Sequence, residues 1–139
     1  IARETAPRFV APWMLGYLAL VTRDAGQRQR AVAEAEALLA DHCTGHNALW
    51  FRRLAIEAGV NAADWDEVRR HANELEAFTA AEPLPWAAFF IRWGRQIATW
   101  RTGRQDAAAQ DELVALHREA EAAGLAAPLA QLERCLADA

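Results

Sequence analysis

Lysine is missing altogether from this 139-residue chain, and all fifteen basic side chains are arginine. A phosphate-binding G-x-x-x-x-G-K-[ST] loop is thereby excluded, because its lysine is the residue that reaches the terminal phosphates. Cysteine is scarce too. Cys43 and Cys135 lie far apart; they form no disulfide framework, and a reducing cytoplasm is the expected setting. No run of 18 uninterrupted apolar residues occurs, so no membrane span is expected. β-branched residues are few, which argues against a sheet. Positive charge is not in surplus: the net charge is −4 and the pI near 5.6, which leaves no electrostatic footprint for nucleic acid. The chain opens on Ile1 rather than Met with no signal-peptide pattern after it, and reads as a piece of something longer.

Alanine is what abounds, at 34 of the residues. It costs no side-chain entropy in a helix, and the accompanying Glu, Leu, Arg and Gln are good helix formers as well. The arginine-only usage reads as coding bias from a GC-rich genome, with a selected phosphate or carboxylate reader as the alternative. A chain of this length fits one domain that buries its apolar surface without metals or disulfides.

Breakers divide the sequence. Pro7 and Pro12 precede the first periodic run, and Gly26, Gly45, the stretch 61–64, Pro83 with Pro85, Gly103, and Gly124 with Pro128 punctuate the rest. Seven helices are predicted, at 12–24, 27–42, 46–61, 65–80, 85–102, 105–123 and 128–137. In the fifth, Trp86, Phe90, Trp93, Ile97 and Trp100 form one stripe at helical period, with Pro85 suited to the first turn. In the sixth, Ala109, Leu113, Leu116, Ala120 and Ala123 repeat that spacing, and Gly124 is a natural stop. Asp64 with Glu67 reads as a capping box for the fourth. Connections this short require antiparallel neighbours.

A repeat underlies the hairpins. Phe90-x-x-Trp93-Gly94-x-x-Ile97 has the large-x-x-large-small-x-x-large spacing of a tetratricopeptide first helix. Stepping back 39 residues from Gly94 reaches Ala55, and 39 more reaches Gly16, each in a similar setting. The small residue lets the partner helix approach closely. The fold expected is therefore all-α: a right-handed α-solenoid of about three antiparallel, tetratricopeptide-like helix pairs in a single domain over 1–139, closed by a C-terminal capping helix. Residues 1–10 are expected as an extension or the remnant of a preceding repeat.

The runs 46–52 (His46 to Arg52), 63–68 (Ala63 to Val68) and 82–91 (Glu82 to Ile91) resemble a bacterial family. It is the carboxy-terminal tetratricopeptide-like region of signalling proteins that combine a class III adenylate/guanylate cyclase domain, an ATPase module and helical repeats. The resemblance implies a regulatory or partner-binding tail, and carries over no catalytic residue, because those domains lie elsewhere.

His42-Cys43-x-x-His46 places three potential metal ligands close together, but lacks a second set with the spacing of a closed tetrahedral site. A Cys43–His nucleophilic pair lacks an orienting third group. No catalytic residue, cofactor or metal is therefore expected, and the chain is not expected to be an enzyme. In a solenoid the first helices line the concave face. Helical geometry assigns to it Trp13, Tyr17, Leu49, Arg52, Ile56, Ile91 and Arg95, with Arg52 and Arg95 suited to holding carboxylates through paired N–H donors. The acidic pairs Glu34/Glu36 and Glu74/Glu76 are expected on solvent faces of second helices. The function expected is a protein-interaction or regulatory module that docks a peptide, another domain of its own polypeptide or a second copy of itself as a homodimer. The alternative is a small-molecule sensor with a pocket between helix pairs near Trp50 and Trp86.

Overall fold

The computed structural model describes residues 2–41 and 45–138, with side chains described from Val10 onward. Those residues form seven helices: α1 (Ala2–Val21), α2 (Ala25–Ala40), α3 (Gly45–Ala62), α4 (Trp65–Thr79), α5 (Pro85–Arg101), α6 (Ala107–Ala123) and α7 (Ala126–Ala137). None is long and apolar enough to cross a membrane. Local chemistry sets most boundaries. Asp24, Asp64 and Asp106 each accept a hydrogen bond from the backbone N–H three residues on, opening α2, α4 and α6. Pro85 occupies the first turn of α5. Gly124 closes α6 in the left-handed conformation, with the Leu125 N–H returning to the Ala120 carbonyl at 2.9 Å. α3 ends in the same way, except that Ala63 takes the left-handed position at φ 54° where glycine is usual.

The first helix departs from expectation. It begins at Ala2, not at residue 12, and runs through both Pro7 and Pro12. An interior proline deletes one hydrogen bond and crowds a carbonyl, at about 3 kcal/mol. Pro12 is buried on the same face as Gly16 and Ala19, and that burial helps to offset the penalty.

Each helix packs on its successor, and α1, α3, α5 and α7 touch one another in turn, whereas the backbones of α2 and α4, and of α4 and α6, do not approach closely among the described residues. Small residues set the approach at α3 from both sides. A Cβ on Gly16 would stand 3.0 Å from Leu54 Cδ1, and one on Gly94 would stand 2.6 Å from Ile56 Cγ2. α3 is consequently buried almost all round over residues 54–60. The main core spans α3 to α7 around Ile56, Val68, Trp93, Ile97, Trp100, Leu113 and Leu132. Trp93 and Trp100 are nearly inaccessible, and each removes on the order of 200 Å² from water, about 5 kcal/mol of transfer free energy. The α1–α2 end is held by small side chains, Ala19 and Ala31 against Ala58, and Ala35 against Phe51 and Ala55. α2 touches α3 only lightly, while α4 lies firmly on α5 and α6 on α7. That difference leaves clefts beside α2.

Candidate functional site

The seven residues expected on one face divide into three environments. Trp13 and Tyr17 meet at 6.0 Å between ring centroids, and Trp13 reaches Trp50 of α3 at 6.0 Å. Trp50 in turn meets Trp86 of α5 edge to face at 5.4 Å. An aromatic strip therefore crosses α1, α3 and α5, with Arg53 stacked over Trp50 and Phe90. Leu49 lies half-buried against the core behind it. Ile56 and Ile91 belong to the core itself, with almost no surface to offer a partner.

Arg52 and Arg95 are not open carboxylate clamps. Arg95 pairs with Glu76 at 2.6 Å and also donates to Asn73, both on α4. Arg52 sits in a half-buried ionic cluster joining α2, α3 and α4. Its Nη1 lies 2.6 Å from Glu36, 2.5 Å from Glu74 and 2.9 Å from His71 Nδ1. Arg70 meets the same Glu36 oxygen at 2.5 Å and grips Glu67 through Nε and Nη2. Glu36 and Glu74, expected as solvated acids of second helices, thus turn inward to guanidinium groups; Glu76 is exposed but paired. The cause is the pair of arginines projecting from α3 and α4, which half-buried carboxylates must neutralise.

Protonation in this cluster follows from burial and charge. Burial raises the Glu36 pKa, but hydrogen bonds from Arg70 and Arg52 outweigh it and leave the group below its usual value. The Arg70 hydrogen bond likewise holds Glu67 low. His71 is pushed down to about 4 by burial, then by Arg70 and Arg52, so its ring is neutral near pH 7. Each ring nitrogen faces a guanidinium, Nδ1 at 2.9 Å from Arg52 and Nε2 at 3.1 Å from Arg70, and Nε2 also lies 3.4 Å from a Glu67 oxygen. Elsewhere in α3, Glu57 is buried beside Arg53, and burial raises its pKa despite that partner.

Ligand atoms of Glu36, His71 and Glu74 lie within 4.8 Å of one another, a spacing that a metal ion could span. The Arg52 guanidinium already contacts all three residues, so a positive charge stands where an ion would bind and the donor set does not suit one. His42 and Cys43 lie outside the described residues. His46 is exposed and meets Trp50 edge to face at 6.1 Å between ring centroids. Cys135 is buried and free; burial raises its thiol pKa against the pull of Arg101, the reverse of an activated nucleophile.

α1 presents a feature that the helical-face assignment missed. Val10, Met14, Tyr17, Leu18 and Val21 follow one another at i, i+4, i+7, i+8 and i+11 on an exposed stripe, with Met14 60% and Val21 71% accessible. Apart from Phe78, every exposed large apolar side chain among the described residues is on this helix. A signal was available: residues 9–21 contain no charged side chain, whereas a helix covered on one side only should carry a polar face.

The comparisons name no family. No family model matches the chain, and neither the curated proteins nor the solved structures supply a match. The site therefore has to be judged on its own geometry.

Proposed function

We propose that this chain is a non-catalytic docking module: a right-handed solenoid of tetratricopeptide-like helix pairs that binds a protein or peptide partner along its first helices. The succession of contacts α1–α3–α5–α7 supports the solenoid. The reading as the regulatory tail of a bacterial nucleotide-cyclase-type signalling protein, at work in the cytoplasm, rests on the sequence resemblance alone.

One observation carries the docking reading. The exposed apolar stripe of α1 adjoins the aromatic strip at Tyr17, which belongs to both. Contiguous exposed apolar surface of this kind is costly to leave in water and marks interaction sites, and aromatic and Met side chains are enriched among interface anchors. Binding there would favour one arrangement of neighbouring domains and so alter their activity.

The test is affinity capture from a lysate of the source cells, with the native chain and a Met14→Ser/Tyr17→Ser variant as bait. Both substituted positions are exposed, so circular dichroism should report an unchanged fold. The expected result is loss of a reproducible partner in the variant. Equal capture of the same partners by both baits would refute the assignment of this face.

A further inference from the structure

Beside the turn between α1 and α2 lies a cleft of about 500 Å³, bounded by Leu20, Val21, Arg23, Arg28, Asn61 and Ala62 among others. Its lining contains no carboxylate, in a protein whose net charge is −4. Arg28 also borders two further clefts, whose linings do include Asp64 and Asp66. Eight arginines, from Arg52 to Arg104, each have a carboxylate within 4.0 Å. Arg23, Arg28, Arg30, Arg118 and Arg134 have no ion pair or side-chain hydrogen bond among the described residues, and three of these five fall in residues 23–30. Asp24, the carboxylate in that stretch, is engaged in capping α2 through the Gln27 N–H at 2.6 Å.

The placement is unfavourable for the helix itself. α2 has no acidic residue in its first turn, while Arg23 and Arg28 flank its N-terminus, where positive charge opposes the macrodipole. Asp24 at the N-cap offsets part of this charge, and neither arginine has an ion pair among the described residues. Asn61 strengthens the pattern: its carbonyl oxygen accepts from Gln131 at 3.1 Å, which leaves its amide N–H groups to donate elsewhere. Val21, the most exposed large apolar residue, belongs both to this cleft and to the α1 stripe. Apolar surface and guanidinium groups with no ion pair among the described residues are thus continuous.

We infer that this cleft anchors an acidic amphipathic segment of a protein partner, whose carboxylates pair with Arg23 and Arg28 while its apolar side chains lie along Val21, Leu18 and Met14. The inference rests on the docking reading above and adds the chemistry of the partner. Charge complementarity selects the occupant: two guanidinium groups without acidic neighbours in the lining demand anions, and the adjoining stripe demands apolar side chains.

Selection of a displayed random-peptide library on the folded chain tests it. The expected outcome is enrichment of peptides in which Asp or Glu accompanies Leu, Ile or Phe. A labelled peptide from that pool should lose about tenfold in affinity in Arg23→Gln/Arg28→Gln, and its binding to the native chain should weaken with added salt. Enrichment of neutral or basic peptides, no enrichment, or undiminished binding by the double variant would overturn the inference. So would tight binding of a DNA or RNA oligonucleotide that is lost in the same variant, because the cleft would then serve nucleic acid. If Met14→Ser/Tyr17→Ser abolishes partner capture while the selected peptides carry no acid, the docking face stands and only the acidic anchor fails.

Discussion

Replacing Gly94 with alanine should destabilise the protein even though alanine is the better helix former. The added Cβ would stand 2.6 Å from Ile56 Cγ2 and 3.3 Å from Val68 Cγ1, whereas unstrained carbon contacts lie at roughly 3.5–4.0 Å. Ile56 is fully buried, and its Cγ2 is fixed to a stiff β-branched stem that cannot swing aside. Overpacking of this kind costs about 1–3 kcal/mol, and the gain in helix propensity returns about 1 kcal/mol. A net loss of about 1 kcal/mol is expected in urea denaturation followed by tryptophan fluorescence. The decisive comparison is a double-mutant cycle with Ile56→Ala. That change alone should cost about 2–5 kcal/mol, but it removes the obstructing methyl, so Gly94→Ala in its background should be neutral or stabilising. Gly16→Ala should be milder, because its first contact is Leu54 Cδ1 at 3.0 Å, the far end of a more adaptable side chain. If Gly94→Ala stabilises equally in both backgrounds, close approach at Gly94 does not set the spacing of α3 and α5, and the position of the Trp50–Trp86 contact needs another cause.

Three further outcomes can be measured. His71 binds a proton below about pH 6.5 when unfolded but only below about 4 when folded, so the unfolded state binds more protons between those values. Stability should therefore fall as pH drops from 6.5 to 4, by about 3 kcal/mol. Glu36 and Glu67, held low, add to the loss at the acid end, and Glu57, held high, opposes it. His71→Asn, which can keep an acceptor facing Arg52, should flatten the dependence; an unchanged slope in that variant would show that His71 is not its source. Ala63→Gly should raise stability by about 1 kcal/mol, because Ala63 holds a left-handed φ of 54°, and a drop in melting temperature would contradict this. Cys135, buried with a raised thiol pKa, should react with a thiol reagent only as fast as the protein opens; labelling in the native state at the rate of a free thiol would contradict its burial.

The helices were legible because their signals are local. Asp24, Asp64, Asp106, Pro85 and Gly124 act within one turn of where they stand, and the stripe from Trp86 to Trp100 announces its buried face at helical period. α1 was the exception for a tertiary reason. Pro12 carries the strongest local stop signal, yet it sits on the face that packs inward with Gly16, and no window around residue 12 reveals that neighbour. The 39-residue spacing singled out Gly16 and Gly94 as places where the partner helix approaches closely; both are close-approach sites, but the helix that meets them is α3 and not the second helix of their own pair.

The site was less legible because a side chain's partner is chosen across helices, not along one. Helical geometry can put Arg52 on a given side of α3, but it cannot see that Glu36, sixteen residues earlier, and Glu74 converge there. The arginines make the point most sharply. As letters Arg23, Arg52 and Arg95 are identical, and the sequence reading assigned two of them to a groove. In space those two are already neutralised by carboxylates from α2 and α4, while Arg23, next to the capping Asp24, has no partner among the described residues. What separates a structural cation from one available to a ligand is the set of carboxylates that the fold delivers to it. In this chain the available cations collect beside α2, the helix that the fold holds least tightly against α3.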